Sequence, residues 1–225
     1  MKKINQPLYE EHIKEYYENN EKWMGPLVSY KWRHDPRYLV FMLSRYKHAS
    51  KFLRGKSSVV DFGCGDAMGL PILNQEVPRV HGVDTESLII EDNIERDVLN
   101  NSITLELHNM ITDGPLEKKY NSGVSFDVLS SIPVESEDIF MQNICSSLDD
   151  DAIFVLGAQN KNSTKYSFEK SQAYQSNFKN YDEMYYFFSK YFHNQIILGM
   201  NDEVIHTSRE TMTQYFIVLG ITPKR

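Results

Sequence analysis

The 225-residue chain is expected to fold as one α/β domain: a mostly parallel seven-stranded sheet with helices on both faces and an antiparallel strand pair at its C-terminal end. Three observations carry this. Short β-branched runs alternate with helix-compatible stretches through the middle of the chain, the pattern of a parallel sheet covered on both sides. The first such run ends in Gly63-Cys64-Gly65, a tight turn that opens a helical stretch. The last two apolar runs have no long helix between them, so they should pair antiparallel.

Residues 35–53 read as the first helix. Asp35 is a candidate N-cap and Pro36 suits the first helical position. Leu39, Leu43, Tyr46, Ala49 and Leu53 recur at helical spacing, and Gly55 can end the helix. Strands are expected over residues 58–62, 79–84, 103–108, 125–130 and 152–156, with helices over 67–75, 86–99 and 135–148 between them. Residues 159–180 are polar, studded with aromatics and too long for a plain connection, which fits a lid or binding loop. A Tyr- and Phe-rich helix is expected over 181–191, then strands over 195–200 and 214–219 joined by the polar segment 201–213.

Composition bounds the function. Lys and Arg number 24 against 31 Asp and Glu, giving a formal charge of -7, which argues against a dedicated nucleic-acid binder. No apolar run approaches the ~20 residues of a membrane span. Residues 1–22 are charged and polar, without a secretory signal, so a soluble cytoplasmic protein is expected. Two cysteines make no disulfide framework; Cys145 sits on a helix face as a small hydrophobe. The run Asp149-Asp150-Asp151 points its carboxylates in different directions, and no metal is expected. Charge is uneven: from Tyr30 to Lys56 there are eight cations against the single acid Asp35. The segment reads either as a solvated helix face or as a basic wall that draws an anionic substrate into a cleft.

The strongest motif is Asp61-Phe62-Gly63-Cys64-Gly65-Asp66-Ala67, directly after a strand. Glycine permits positive φ and lets a ligand approach the backbone. In open α/β sheets ligands bind at the carboxyl ends of the strands, where this turn lies. Asp84 follows 19 residues after Gly65 at the end of the next strand, placed to accept bonds from both hydroxyls of a ribose. A dinucleotide motif would need glycine at 68, where the chain has Met, and Asp66 would repel a pyrophosphate at the helix N-terminus. An ammonium group would instead be attracted.

The pattern Asp61-x-Gly63-x-Gly65-x-Ala67 resembles the first motif of class I S-adenosylmethionine-dependent methyltransferases, with Ala at the third glycine position. The resemblance implies a Rossmann-like fold and S-adenosylmethionine as cofactor. It divides the single domain 1–225 into a helical cover (1–56), a cofactor-binding core (57–159) and a substrate loop with the strand pair (160–225). Asp61, Gly63, Cys64, Gly65 and Asp66 would line the amino-acid end of the cofactor, Asp84 and Thr85 the ribose, Asn109 and Met110 the adenine, and Ser130 the edge after the fourth strand. Many relatives carry a Glu-His pair there; this chain has Ser130-Ser131. The flanks, including Trp23-Met24-Gly25, Trp32, 41–46 and 200–207, resemble a bacterial subgroup associated with capsule, lipopolysaccharide or other surface-glycan biosynthesis. That implies a small, anionic acceptor such as a phosphorylated or nucleotide-linked sugar, with Trp32, Arg33, Arg37, Arg45, Tyr174, Asn201 and Glu203 as candidate contacts.

The reaction would be in-line displacement at a sulfonium methyl, in which alignment of the acceptor is the protein's main task. A hydroxyl acceptor would gain from a general base. His206 is the first candidate, because Asp202 and Glu203 precede it, and His34 beside Trp32 is the second. His81 and His108 fall in or at the end of strands and read as structural. Competing readings are a cofactor-binding subunit without catalysis, an NAD(P)-dependent oxidoreductase, and an RNA methyltransferase using the basic helix.

Overall fold

The computed structural model describes residues 24–96, 101–166, 177–207 and 213–225. Eight strands form one sheet: β1 (Val59–Phe62), β2 (Val80–Asp84), β3 (Ile103–Leu107), β4 (Tyr120–Phe126), β5 (Leu148–Gln159), β6 (Phe192–Asn201), β7 (Val204–His206) and β8 (Tyr215–Pro223). Their order is β3-β2-β1-β4-β5-β8-β6-β7. The first five pair parallel, and β8 runs antiparallel to β5 and β6. The Rossmann-like arrangement expected from the alternation is present, with β7 added to the seven strands. It arises within the polar segment 201–213, where Asp202 takes φ 50 and lets Val204–His206 fold back on β6.

Helices are α1 (Pro26–His34), α2 (Arg37–Phe52), α3 (Leu70–Asn74), α4 (Ser87–Glu95), α5 (Glu137–Ser146) and α6 (Tyr181–Tyr191). They cover both faces of the sheet. One buried cluster joins Phe62, Phe154, Phe192 and Phe216 to Met141 and Ile144 of α5 and Met184 and Phe188 of α6. The other joins Val59, Val155 and Ile217 to Tyr46, Ala49 and Leu53 of α2, Leu70 and Leu73 of α3 and Ile90 of α4. No described helix is long and apolar enough to cross a membrane.

Two expectations shift. Asp35 is not the N-cap of α2; it ends α1, its backbone N–H bonding the Lys31 carbonyl, and Pro36 takes the cap position without a side-chain bond. The fourth strand lies at Tyr120–Phe126 and not at 125–130. Asn121, Ser122, Gly123 and Ser125 interrupt its apolar residues, so it lacks a continuous apolar signature, yet Ser122 Oγ donates to the Ser58 carbonyl at 2.6 Å and Ser125 Oγ to the Phe62 carbonyl at 2.8 Å, binding it to β1. Asp127 then takes φ 62 and the chain enters a 3₁₀ turn, Leu129–Ser131.

The site is fixed by the strand order. The chain leaves β1 toward β2 and β3, then returns to place β4 on the other side of β1, so a crevice opens at their carboxyl ends. The glycine turn and the segment after β4 line it.

Candidate functional site

The turn after β1 is built from left-handed residues. Gly63, Gly65 and Ala67 have φ of 88, 51 and 59°. Ala67 bears the strain that a third glycine would avoid, and it is fully buried. The turn is held from outside: Gly63 and Cys64 donate to the Val83 carbonyl at 2.8 and 3.0 Å. From α4, Asn93 Nδ2 donates to the Gly65 carbonyl at 2.7 Å, and Arg96 Nη2 to the Asp66 carbonyl at 3.0 Å.

Three carboxylates converge on this turn. Asp84 closes it: Oδ2 accepts from Gly65 N at 2.8 Å and Oδ1 from Glu86 N at 3.1 Å. Each oxygen has a further lone pair, so the side chain can still accept from ribose hydroxyls. Asp61 is fully buried and accepts from Tyr46 Oη at 2.8 Å, while its Oδ1 has no partner. Burial pushes its carboxyl up to about 7, the bond from Tyr46 opposing. Asp66 Oδ2 accepts from Val28 N at 2.6 Å and so caps the N-terminus of α1; its Oδ1 is also buried without a partner. Burial raises the Asp66 carboxyl as well. Two buried carboxylate oxygens lacking donors, beside a turn lined by backbone, fit a ligand with an ammonium group; a phosphate would be repelled by the same carboxylates. The ammonium and ribose hydroxyls of S-adenosylmethionine are donors that match this set of acceptors.

The other expected cofactor residues are arranged as follows. Thr85 is exposed beside Asp84. The Asn109 side-chain oxygen, expected to meet adenine, accepts from Ile111 N at 2.9 Å, and its backbone N–H donates to Asp113 Oδ2. Met110 is buried in the core with its carbonyl bonded by Asn143. Cys64 is buried and burial raises its thiol, so its backbone is what serves the turn. Ser130 is buried, donating to the Asp127 carbonyl and accepting from Asn177 N.

The basic wall divides. Lys51 and Arg54 pair with Glu76, and Arg37, exposed, pairs with Asp35 at 3.1 Å. Arg45 turns inward to pair with Asp127, and its guanidinium lies 3.8 Å from the centre of the Tyr215 ring. It is therefore no surface cation. Burial opposes its charge most strongly, but Asp127, Tyr215 and Tyr38 together outweigh it and raise its pKa. Among the described residues Lys31, Arg33 and Lys47 make no ion pair and are exposed, as is Trp32.

The histidines do not reach the turn. His206 lies on β7, opposite Gly199 and five strands from β1, roughly 24 Å at ~4.8 Å per strand. Its neighbours serve the hairpin: Asn201 Oδ1 accepts from Gln214 N, and the Glu203 carbonyl meets His48 Nε2 at 2.9 Å. His34 is exposed at the far end of α1, stacked on Tyr30 at 4.0 Å. Tyr174 lies outside the described residues. What the sequence did not single out is Tyr38, Asp127 and Tyr215, which gather round the expected contact Arg45 beside the turn. The signal available was an acid directly after a strand, hidden because the strand was placed five residues late.

Residues 32–196 match a family model described as a methyltransferase domain. No curated protein sequence matches the chain. Among solved structures, the methyltransferase domain of the bacterial protein CtHen1-C aligns with a TM-score of 0.66 at 15% identity, over 82% of this chain and 100% of that one. The plantazolicin methyltransferase BpumL, solved with S-adenosylhomocysteine, aligns at 0.64 and 13% identity over 96% of this chain and 100% of that one. The N-methyltransferase NodS from Bradyrhizobium japonicum WM9 aligns at 0.56 and 10% identity, covering 86% and 97%.

Proposed function

Since the chain belongs to the methyltransferase-domain family and uses S-adenosylmethionine as methyl donor, we propose that it methylates a small anionic acceptor, a phosphorylated or nucleotide-linked sugar of the kind used in surface-glycan assembly. Bound at the turn, the cofactor would supply an electrophilic sulfonium methyl. The residues that hold it are Asp84 for the ribose hydroxyls and Asp61 and Asp66 for the ammonium, with the backbone of Gly63 to Gly65 beneath. Transfer would exchange the S–CH₃ bond for an O–CH₃ or N–CH₃ bond, with the acceptor's proton released to solvent. The protein's contribution is alignment and exclusion of water, worth up to ~7–11 kcal/mol in favourable systems.

The observation that carries the acceptor class is the exposed Lys31 and Arg33 on α1, neither in an ion pair among the described residues, on a helix whose N-terminus the turn itself caps through Asp66. Cations on that helix favour an acceptor with a negative group. Methyl transfer from labelled S-adenosylmethionine should therefore favour phosphorylated and nucleotide-linked sugars over their neutral counterparts. The preference should fall in a Lys31→Ala/Arg33→Ala variant. Transfer to neutral sugars with equal kcat/KM contradicts the acceptor class. Cofactor binding without transfer to any of these acceptors favours the cofactor-binding subunit.

A further inference from the structure

We propose that the Asp127 carboxylate, held in place by Arg45, accepts a hydrogen bond from the N–H or O–H of the methyl acceptor and so aims its lone pair at the transferred methyl. The proposal rests on the reading of the glycine turn as the cofactor seat.

Asp127 stands where the acceptor must come. It follows β4 directly, and its N–H extends the ladder to the Gly157 carbonyl at 3.0 Å. The next residue touches the turn: a Cβ on Gly63 would lie 2.3 Å from Val128 Cγ2. Asp127 is thus one residue from the cofactor cradle, on the opposite lip of the crevice between β1 and β4.

The ion pair is lopsided. The Arg45 side chain is 12% exposed, and the Asp127 side chain 30%. The guanidinium is packed on the Tyr215 ring and pinned under the carboxylate, while the carboxylate keeps an open side. Arg45 meets Oδ2, and the part of the carboxylate that remains exposed faces outward, where a ligand can reach it. The Tyr215 hydroxyl is buried beside Asp127, directed at its carboxylate, and so helps fix it from the inner side. Asp127 also takes φ 62, a left-handed conformation that Asp adopts more readily than most residues with side chains and that turns the chain sharply out of β4.

The charges then have an order. An acid sits at the reacting end, suited to a hydrogen-bond donor on the atom to be methylated. Lys31 and Arg33 lie on the neighbouring helix, suited to an anionic group elsewhere on the same acceptor.

Sinefungin tests this without knowledge of the acceptor. It carries an amine where S-adenosylmethionine carries its sulfonium methyl, so the amine points toward the acceptor position. A charge-assisted bond to Asp127 should make wild-type protein bind sinefungin about tenfold or more tighter than S-adenosylhomocysteine by isothermal titration. Asp127→Asn, which tolerates positive φ, should bring the two affinities within about twofold while leaving that for S-adenosylhomocysteine unchanged. The double variant Arg45→Met/Asp127→Asn removes the pair as a unit, guarding against a stranded arginine, and should give the same result. A sinefungin preference that persists in either variant, or is missing from wild type, overturns the proposal. Wild-type protein that binds neither compound overturns the cofactor reading, and the proposal with it.

Discussion

Replacing Asp61 by Asn should remove a pH dependence from folding stability. The carboxyl is fully buried, and burial lifts it from 3.8 to about 7 in the folded protein. Its raised pKa means that the native state keeps a proton the unfolded chain releases. The stabilisation is therefore complete below pH 3.8 and disappears as pH rises to 7. Between pH 5 and 7 the native form holds that extra proton over two pH units, so the difference is roughly 3 kcal/mol at ~1.4 kcal/mol per unit. Asn can still accept from Tyr46, so that bond survives the exchange. Other titrating groups are common to both proteins and cancel. Urea unfolding at pH 5, 6, 7 and 8 reads the quantity. The stability of wild type relative to Asp61→Asn should fall by about 3 kcal/mol from pH 5 to pH 8 and level off above. A flat difference would mean that the folded protein does not hold this proton, and the argument from the orphaned oxygen would fail with it. The same logic makes cofactor affinity rise from pH 6 to 8, because an ammonium pairs with the ionised form.

Other substitutions separate the cradle from its frame. At Gly65 a Cβ would meet nothing nearer than Leu27 Cδ1 at 3.8 Å, so Gly65→Ala should fold with a backbone penalty of roughly 1–2 kcal/mol. It should nonetheless weaken S-adenosylmethionine binding by blocking backbone approach; unchanged Kd removes the turn from the site. Asp84→Ala loses the bond from Gly65 N as well as those to ribose, and titration should show a loss of about tenfold or more in affinity. His206→Ala, five strands away, should leave cofactor affinity unchanged and turnover within about twofold. A large fall in turnover would require the hairpin to contribute to the acceptor site.

What could be read from the chain was what depends on local pattern. The short β-branched runs gave β1, β2 and β3, and the Tyr- and Phe-rich stretch gave the helix Tyr181–Tyr191, whose start the structure shows closed by a capping box of Asn180 and Glu183. The glycine turn was legible because positive φ demands particular residues. Asp84 was legible from spacing alone. Strand β4 was misplaced because Asn121, Ser122, Gly123 and Ser125 owe their place to hydrogen bonds with β1 and aromatic packing from Phe62 and Phe154. Long-range pairing of that sort leaves no apolar rhythm. Arg45 was grouped with surface cations for the same reason: its partner Asp127 lies 82 residues away. His206 was attractive because acids precede it in sequence, but sheet order, which no local window encodes, sets it at the far edge.

A crystal structure with S-adenosylhomocysteine is the most direct test. The account predicts ribose hydroxyls within hydrogen-bond distance of Asp84, the ammonium on the free oxygens of Asp61 and Asp66, and the sulfur facing Asp127. A ligand seated anywhere but against the Gly63 to Gly65 backbone, or an ammonium met by neither Asp61 nor Asp66, contradicts it.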